Sequence, residues 1–147
     1  MSTPKVLFAT DYSPASEGVM PWVTALAKGL GASLLIAHVD ERLPSYCMGV
    51  GYSGVSEPGL QTLVKELVTV MPADSSVSCE HRLLMGDPAQ EIVQLADEEH
   101  VNLIVVGTHG RTGSLGLLMG SVAEAVVRRA KCPVMICKLP GHGPEAR

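Results

Sequence analysis

The sequence predicts a single α/β domain, an open parallel sheet of five strands with helices on both faces. Five short apolar runs alternate with segments of helical spacing, the order that parallel βαβ units require. Three of those runs, Lys5 to Thr10, Ser33 to Val39 and Leu103 to Val106, are nearly unbroken in apolar residues. Strands covered on both faces look like this. The length of 147 residues suits one domain with a sizeable core, and neither a linker nor an internal repeat is visible.

Taken in order, the first strand is Lys5 to Thr10. Ser13 then stands as an N-cap before Pro14, which suits the first helical position. That helix is expected to run to about Lys28 and to stop at Gly29 and Gly31. Pro21 lies inside it and removes a backbone donor, so a kink is expected there. The second strand is Ser33 to Val39. A long loop rich in glycine, proline and serine follows, over residues 43–59; loops of this length in small domains are commonly functional or disordered. The second helix, after Glu57-Pro58, carries Leu60, Leu63, Val64, Leu67, Val68 and Met71 as one apolar stripe. The third strand, Val77 to Leu84, alternates. Asp87-Pro88 opens the third helix, with Gln90 in capping-box position and Ile92, Val93, Leu95 and Ala96 on its buried face. The fourth strand is Leu103 to Val106, the fourth helix Ser121 to about Ala130, and the fifth strand Val134 to Lys138. Residues 140–147 read as a disordered tail.

Composition narrows the function. Hydrophobic residues make up 46% but aromatics only 3%, so the core is built from Val, Leu, Ile, Ala and Met. A net charge of −4 argues against nucleic acid as a partner. The cluster Arg128, Arg129 and Lys131 stands at a helix end, where the dipole favours cations. No apolar run reaches the roughly 18 residues that span a bilayer, and the first residues hold too short an apolar stretch for a signal peptide. A soluble, cytoplasmic protein without membrane insertion is expected. None of the four cysteines forms a C-x-x-C pair. Cys79 and Cys137 read as small hydrophobes in strands, and Cys47 lies in the long loop. His38 ends a buried strand and reads as a satisfied core histidine, and no histidine spacing suggests a metal site.

In an open parallel sheet, ligands bind beyond the carboxyl ends of the strands, where the strand order reverses. Thr10 and Asp11 follow the first strand, Val39 ends the second, and Gly107 to Arg111 follow the fourth. Neither a G-x-x-x-x-G-K-[ST] loop nor a G-x-G-x-x-G turn after the first strand is present. The glycines cluster after the fourth strand instead: Gly107, two residues, Gly110, nine residues, then Gly120-Ser121 opening the last helix. Gly107 and Gly110 allow a tight turn and close approach to a ligand. Gly120 and Ser121 place a helix N-terminus there, a natural seat for an anion, though Ser121 also suits a plain N-cap role. Asp11, facing the same crevice, suits either a ribose hydroxyl or a Mg²⁺ held with the nucleotide. Together these elements predict a site for a phosphate-bearing ligand such as a nucleotide.

At these residues the chain resembles the universal stress protein family, from KVLFATDYSPAS to KCPVMICK. The most specific stretch is GTHGRTGSLGLLMGSVAEAVVRRAKCPVMIC, which fits the family's spacing of Gly, two residues, Gly, nine residues, Gly and then Ser or Thr. The resemblance implies a Rossmann-like fold of the adenine-nucleotide alpha-hydrolase-like type. It implies that Thr10 and Asp11 line the nucleotide site, that the backbone of Val39 meets the adenine, and that Gly107 and Gly110 lie near ribose and phosphate. It implies that Gly120, Ser121 and Val122 hold the phosphates, with ATP as the ligand. Ala123 stands where the family often has Thr. The resemblance also implies a homodimer through the last strand, Val134 to Lys138.

Three roles are compatible with these residues. The first is an ATP-binding regulatory or stress-response factor acting on a protein partner that the sequence does not name. The second is a slow ATPase or phosphoryl-transfer enzyme, with Arg111 as a cation near the γ-phosphate, Asp11 holding Mg²⁺ and His109 as a base. The third is a nucleotide-free interaction module presenting Leu115, Leu117, Leu118 and Met119.

Overall fold

The computed structural model describes residues 2–41, 57–108 and 119–138. Strand and helix alternate along these residues: β1 Lys5–Ala9, α1 Pro14–Leu30, β2 Ser33–Asp40, α2 Glu57–Leu67, β3 Cys79–Met85, α3 Pro88–Glu98, β4 Leu103–Gly107, α4 Ser121–Arg129 and β5 Val134–Cys137. All the strands are parallel, in the order β3-β2-β1-β4-β5. The chain lays down β1, β2 and β3 in one direction, then returns to place β4 on the other side of β1. The strand order therefore reverses between β1 and β4, and a crevice opens at their carboxyl ends.

The near-unbroken apolar runs are explained by two cores, one on each face of the sheet. Val6 and Phe8 of β1 and Leu34 and Ile36 of β2 pack against Val19, Val23 and Ala27 of α1 and Leu67 of α2. The intervening residues, Leu7 and Leu35, pack on the opposite face with Ile92 and Leu95 of α3 and Val126 of α4. Leu7, Ile36 and Ile104 are wholly shielded from solvent. A polar residue pointing to either face would lose its hydration, which excludes the alternating pattern.

The helix signals act as expected. The Ser13 hydroxyl accepts from Ser16 N at 3.1 Å, and the Asp87 carboxylate accepts from Gln90 N at 2.9 Å. The helix α1 runs past Lys28 to Leu30 and ends at Gly31, whose φ of 64° is left-handed. The helix is continuous through Pro21. Other boundaries shift. The strand β1 stops at Ala9; one further ladder bond, from Thr10 N to Ala37 O at 2.8 Å, follows before the backbone bends at Tyr12. The strand β3 starts at Cys79, not Val77, and β5 stops at Cys137, not Lys138. The helix α2 already begins at Glu57, so the last residues of the expected loop over 43–59 are helical; residues 43–56 and the tail over 140–147 lie outside the described residues. The α2 stripe is also shorter than expected. The helix ends at Leu67, its one fully buried member, and Val64, Val68 and Met71 are exposed.

Candidate functional site

The crevice at the β1–β4 reversal is built from three chain segments. The first is the turn from β1 into α1. Thr10 is buried there, and its hydroxyl oxygen accepts from Ser16 Oγ at 2.8 Å and from Tyr12 N at 3.1 Å. The Asp11 carboxylate accepts from Ser13 N at 2.9 Å, closing a small turn at the head of the helix. Tyr12 has a φ of +64°, left-handed backbone that a residue with a bulky side chain rarely adopts. Its ring lies against the His38 imidazole at a centroid distance of 4.2 Å. His38 Nδ1 in turn donates to the Thr10 carbonyl at 2.8 Å.

The second segment is the end of β2. The Ala37 carbonyl points to β1, where it takes the Thr10 N–H. Backbone groups two residues apart on a strand face the same neighbour, so the amide and carbonyl of Val39 also turn to the β1 side. By then β1 has ended, and the Val39 backbone faces the mouth of the crevice. Its side chain packs in the α3–α4 core. Asp40 is buried one residue further, where its carbonyl accepts from Gly86 N on the β3 side.

The third segment joins β4 to α4. Gly107 closes β4, and Thr108 N bonds Cys137 O at 3.2 Å. Gly120 N donates to the Thr108 carbonyl, pinning the start of α4 to the end of β4. Gly120 is the N-cap of α4, with φ −72° and ψ 164°, and it has no side chain to close the helix end. Ser121 is therefore the first helical residue and not the cap, so its exposed hydroxyl is not held in a capping bond. Val122 is also exposed, while Ala123 points into the core.

Of the residues singled out in the sequence, Thr10, Asp11, Val39, Gly107, Gly120, Ser121 and Val122 thus sit at the carboxyl end of the sheet, around the strand reversal. Gly110, Arg111, His109, Leu115, Leu117 and Leu118 lie outside the described residues, as does Cys47. Sequence reasoning passed over Tyr12, Ser16 and Thr108. For Tyr12 the signal was weak, a large residue between Asp11 and a helix cap. Ser16 and Thr108 carry no pattern of their own. Burial pushes the Cys79 and Cys137 thiols upward, in keeping with unreactive cysteines in strands. Among the described residues no group of three His, Cys, Asp or Glu side chains is gathered to hold a metal ion. Asp11 is a single carboxylate, which fits a Mg²⁺ held mainly by phosphates and water.

On the far side of the sheet edge, Trp22 and Leu26 of α1 and Met135 and Ile136 of β5 line an apolar groove of about 550 Å³. Trp22 is 66% exposed. Among the described residues no helix is long and apolar enough to cross a membrane.

Residues 3–138 match the model of the universal stress protein family. A universal stress protein of Methanocaldococcus jannaschii is 32% identical, over 92% of this chain and 82% of its own length. The structure of a second universal stress protein of the same organism superimposes with a TM-score of 0.70 at 25% identity, covering 97% of this chain and all of that one. A universal stress protein in complex with cAMP superimposes with a TM-score of 0.65 at 26% identity, covering 94% of this chain and 98% of that one. The chain belongs to the universal stress protein family, with its α/β Rossmann-like fold.

Proposed function

We propose that this universal stress protein binds ATP in the β1–β4 crevice and acts as a nucleotide-dependent regulatory or stress-response factor in the cytoplasm. The observation that carries the reading is the start of α4. It is tied to β4 by Gly120, is left without a side-chain cap, and stands at the strand reversal with Asp11 and Val39. The glycine spacing that places it there is intact in the chain, and a relative of the same fold is found in complex with an adenine nucleotide, cAMP.

In this reading the phosphates lie against the N–H groups of Gly120, Ser121 and Val122, where the helix dipole favours negative charge. Gly107 and Gly110 leave room for the ribose and phosphates. The Val39 backbone supplies one donor and one acceptor to the adenine edge. Thr10 lines the pocket floor, and Asp11 meets a ribose hydroxyl or a nucleotide-bound Mg²⁺. Arg111 adds a cation near the terminal phosphates. In this role the site residues bind and orient the nucleotide. The open edge of β5, with Met135 exposed on the apolar groove beside it, supports a homodimer through Val134 to Lys138.

Isothermal titration of the purified protein with ATP is expected to give micromolar-range affinity. Mass spectrometry of gently purified protein is expected to detect adenine nucleotide. Absence of binding in the titration would sink the reading. Retention of full affinity in Asp11→Ala would remove Asp11 from the site without removing the site.

A further inference from the structure

Two side chains beside the crevice, His38 and Tyr12, are given no role by the nucleotide reading, and they hold the turn that carries Asp11. The backbone at Tyr12 is left-handed, with φ +64°. For a residue with a bulky side chain this is costly and persists only where the surroundings enforce it. Two contacts from one residue do so. His38 Nδ1 lies 2.8 Å from the Thr10 carbonyl, and its ring lies 4.2 Å from the Tyr12 ring, centroid to centroid, at an interplanar angle of 34°. A carbonyl oxygen only accepts, so His38 must donate from Nδ1. The imidazole therefore grips the turn at the residue before Asp11 and at the residue after it.

His38 can do this because of its register. It stands one residue beyond Ala37, which bonds Thr10 N. Its side chain falls on the α1 face of the sheet, directly under the turn, while the neighbouring Val39 packs on the other face. Adjacent residues of one strand thus serve the same crevice by different means: Val39 through its backbone, His38 through its ring. Tightening of this kind narrows the positions open to Asp11, so less order has to be imposed when a ligand arrives.

Resting on the nucleotide reading above, we propose that His38 is a positioning residue of that site: its Nδ1 bond to Thr10 and its tilted ring contact with Tyr12 fix the left-handed turn that presents Asp11 to the ligand. Its two contacts can be separated by substitution. His38→Asn keeps a donor at the Nδ1 position and gives up the ring. His38→Phe keeps the ring and gives up the donor.

The test is ATP titration of the wild type and both variants, with thermal unfolding measured on the same samples. His38→Phe is expected to bind about tenfold more weakly, the equivalent of one lost ordering hydrogen bond. His38→Asn is expected to stay within about threefold of wild type, because the donor is restored. Affinity of His38→Phe equal to wild type overturns the proposal alone. Equal weakening in both variants, tracking equal loss of melting temperature, reduces His38 to a packing residue and also overturns it. Failure of the wild type to bind ATP overturns the nucleotide reading and this proposal together. Should either variant fail to fold, long-range proton–nitrogen NMR of the wild type decides. A His38 ring protonated at Nδ1 is expected, and a ring carrying its proton only at Nε2 is fatal to the idea.

Discussion

The two helices that begin at the crevice begin in opposite ways. The helix α1 is closed by its own side chains: Ser13 accepts from Ser16 N, Asp11 accepts from Ser13 N, and Ser16 bonds the Thr10 hydroxyl. The helix α4 begins at Gly120, which has nothing with which to cap it. The helix α3, at the same edge of the sheet, is again capped by a side chain, that of Asp87. A helix end satisfied from within contributes stability and repels further ligands. An end without a side-chain cap gives up some stability and leaves donors for an anion. The difference separates a structural helix start from one suited to binding.

Making α4 resemble α1 is the strongest way to break this contrast. Gly120 has an extended backbone, φ −72°, that any residue adopts, so substitution there carries no backbone strain. Gly120→Asp should supply the missing cap and leave folding unharmed, or improve it by a few tenths of a kcal/mol. Its carboxylate would take the place of a phosphate, and ATP affinity should fall by about 100-fold, the worth of two charge-assisted hydrogen bonds at their lower limit. Gly120→Leu should abolish binding by bulk alone. Titration and chemical denaturation on the same variants check both halves. Loss of folding in Gly120→Asp would refute the assignment of Gly120 as a cap free to vary.

The converse change sharpens it. Ser13→Ala removes the α1 cap and should cost about 1 kcal/mol of stability in urea denaturation, with ATP affinity changed by less than about threefold. A much larger loss of affinity would mean that α1 also faces the ligand. At the other end of α1, Gly31→Ala should cost about 1 kcal/mol through the left-handed backbone alone. Nothing lies within 4 Å of the added methyl, and nucleotide binding should be untouched.

The smallest effect is expected at the amino edge of the sheet, remote from the crevice. Lys28 donates to Asp74 at 2.7 Å, and together with the Ser76 N–H this holds the Asp74 carboxyl well below its usual range. A carboxyl lowered in the folded state adds stability above its unfolded value, near pH 4, and that stability fades as pH falls below it. Asp74→Asn should flatten the acid limb of a stability–pH curve below about pH 4. The pair is exposed, so 1 M salt should mask most of the difference. ATP affinity at neutral pH should not move.

Much of this contrast was legible before the fold was known. Ser13-Pro14 and Asp87-Pro88 announce closed helix starts, because cap chemistry is local and needs only a few adjacent residues. Gly120 ahead of Ser121 announces an open one, but the sequence left open whether Ser121 was the cap. The backbone dihedrals of Gly120 decide that. The α2 stripe misled for the opposite reason. Its apolar spacing continues through Val68 and Met71, yet the helix stops at Leu67, and spacing does not report where burial ends.

By itself the sequence determined the alternation of strands and helices, the two-sided burial of β1, β2 and β4, and the chain positions that follow each strand. These depend on side-chain polarity and local backbone preference, which are written residue by residue. The tertiary structure alone decided that β4 lies beside β1, in the register Val6 to Leu103. It alone decided that His38 reaches Thr10 across 28 positions of chain. Such pairings are set by which strands hydrogen-bond and in what register, a global choice among packings that no stretch of adjacent residues encodes.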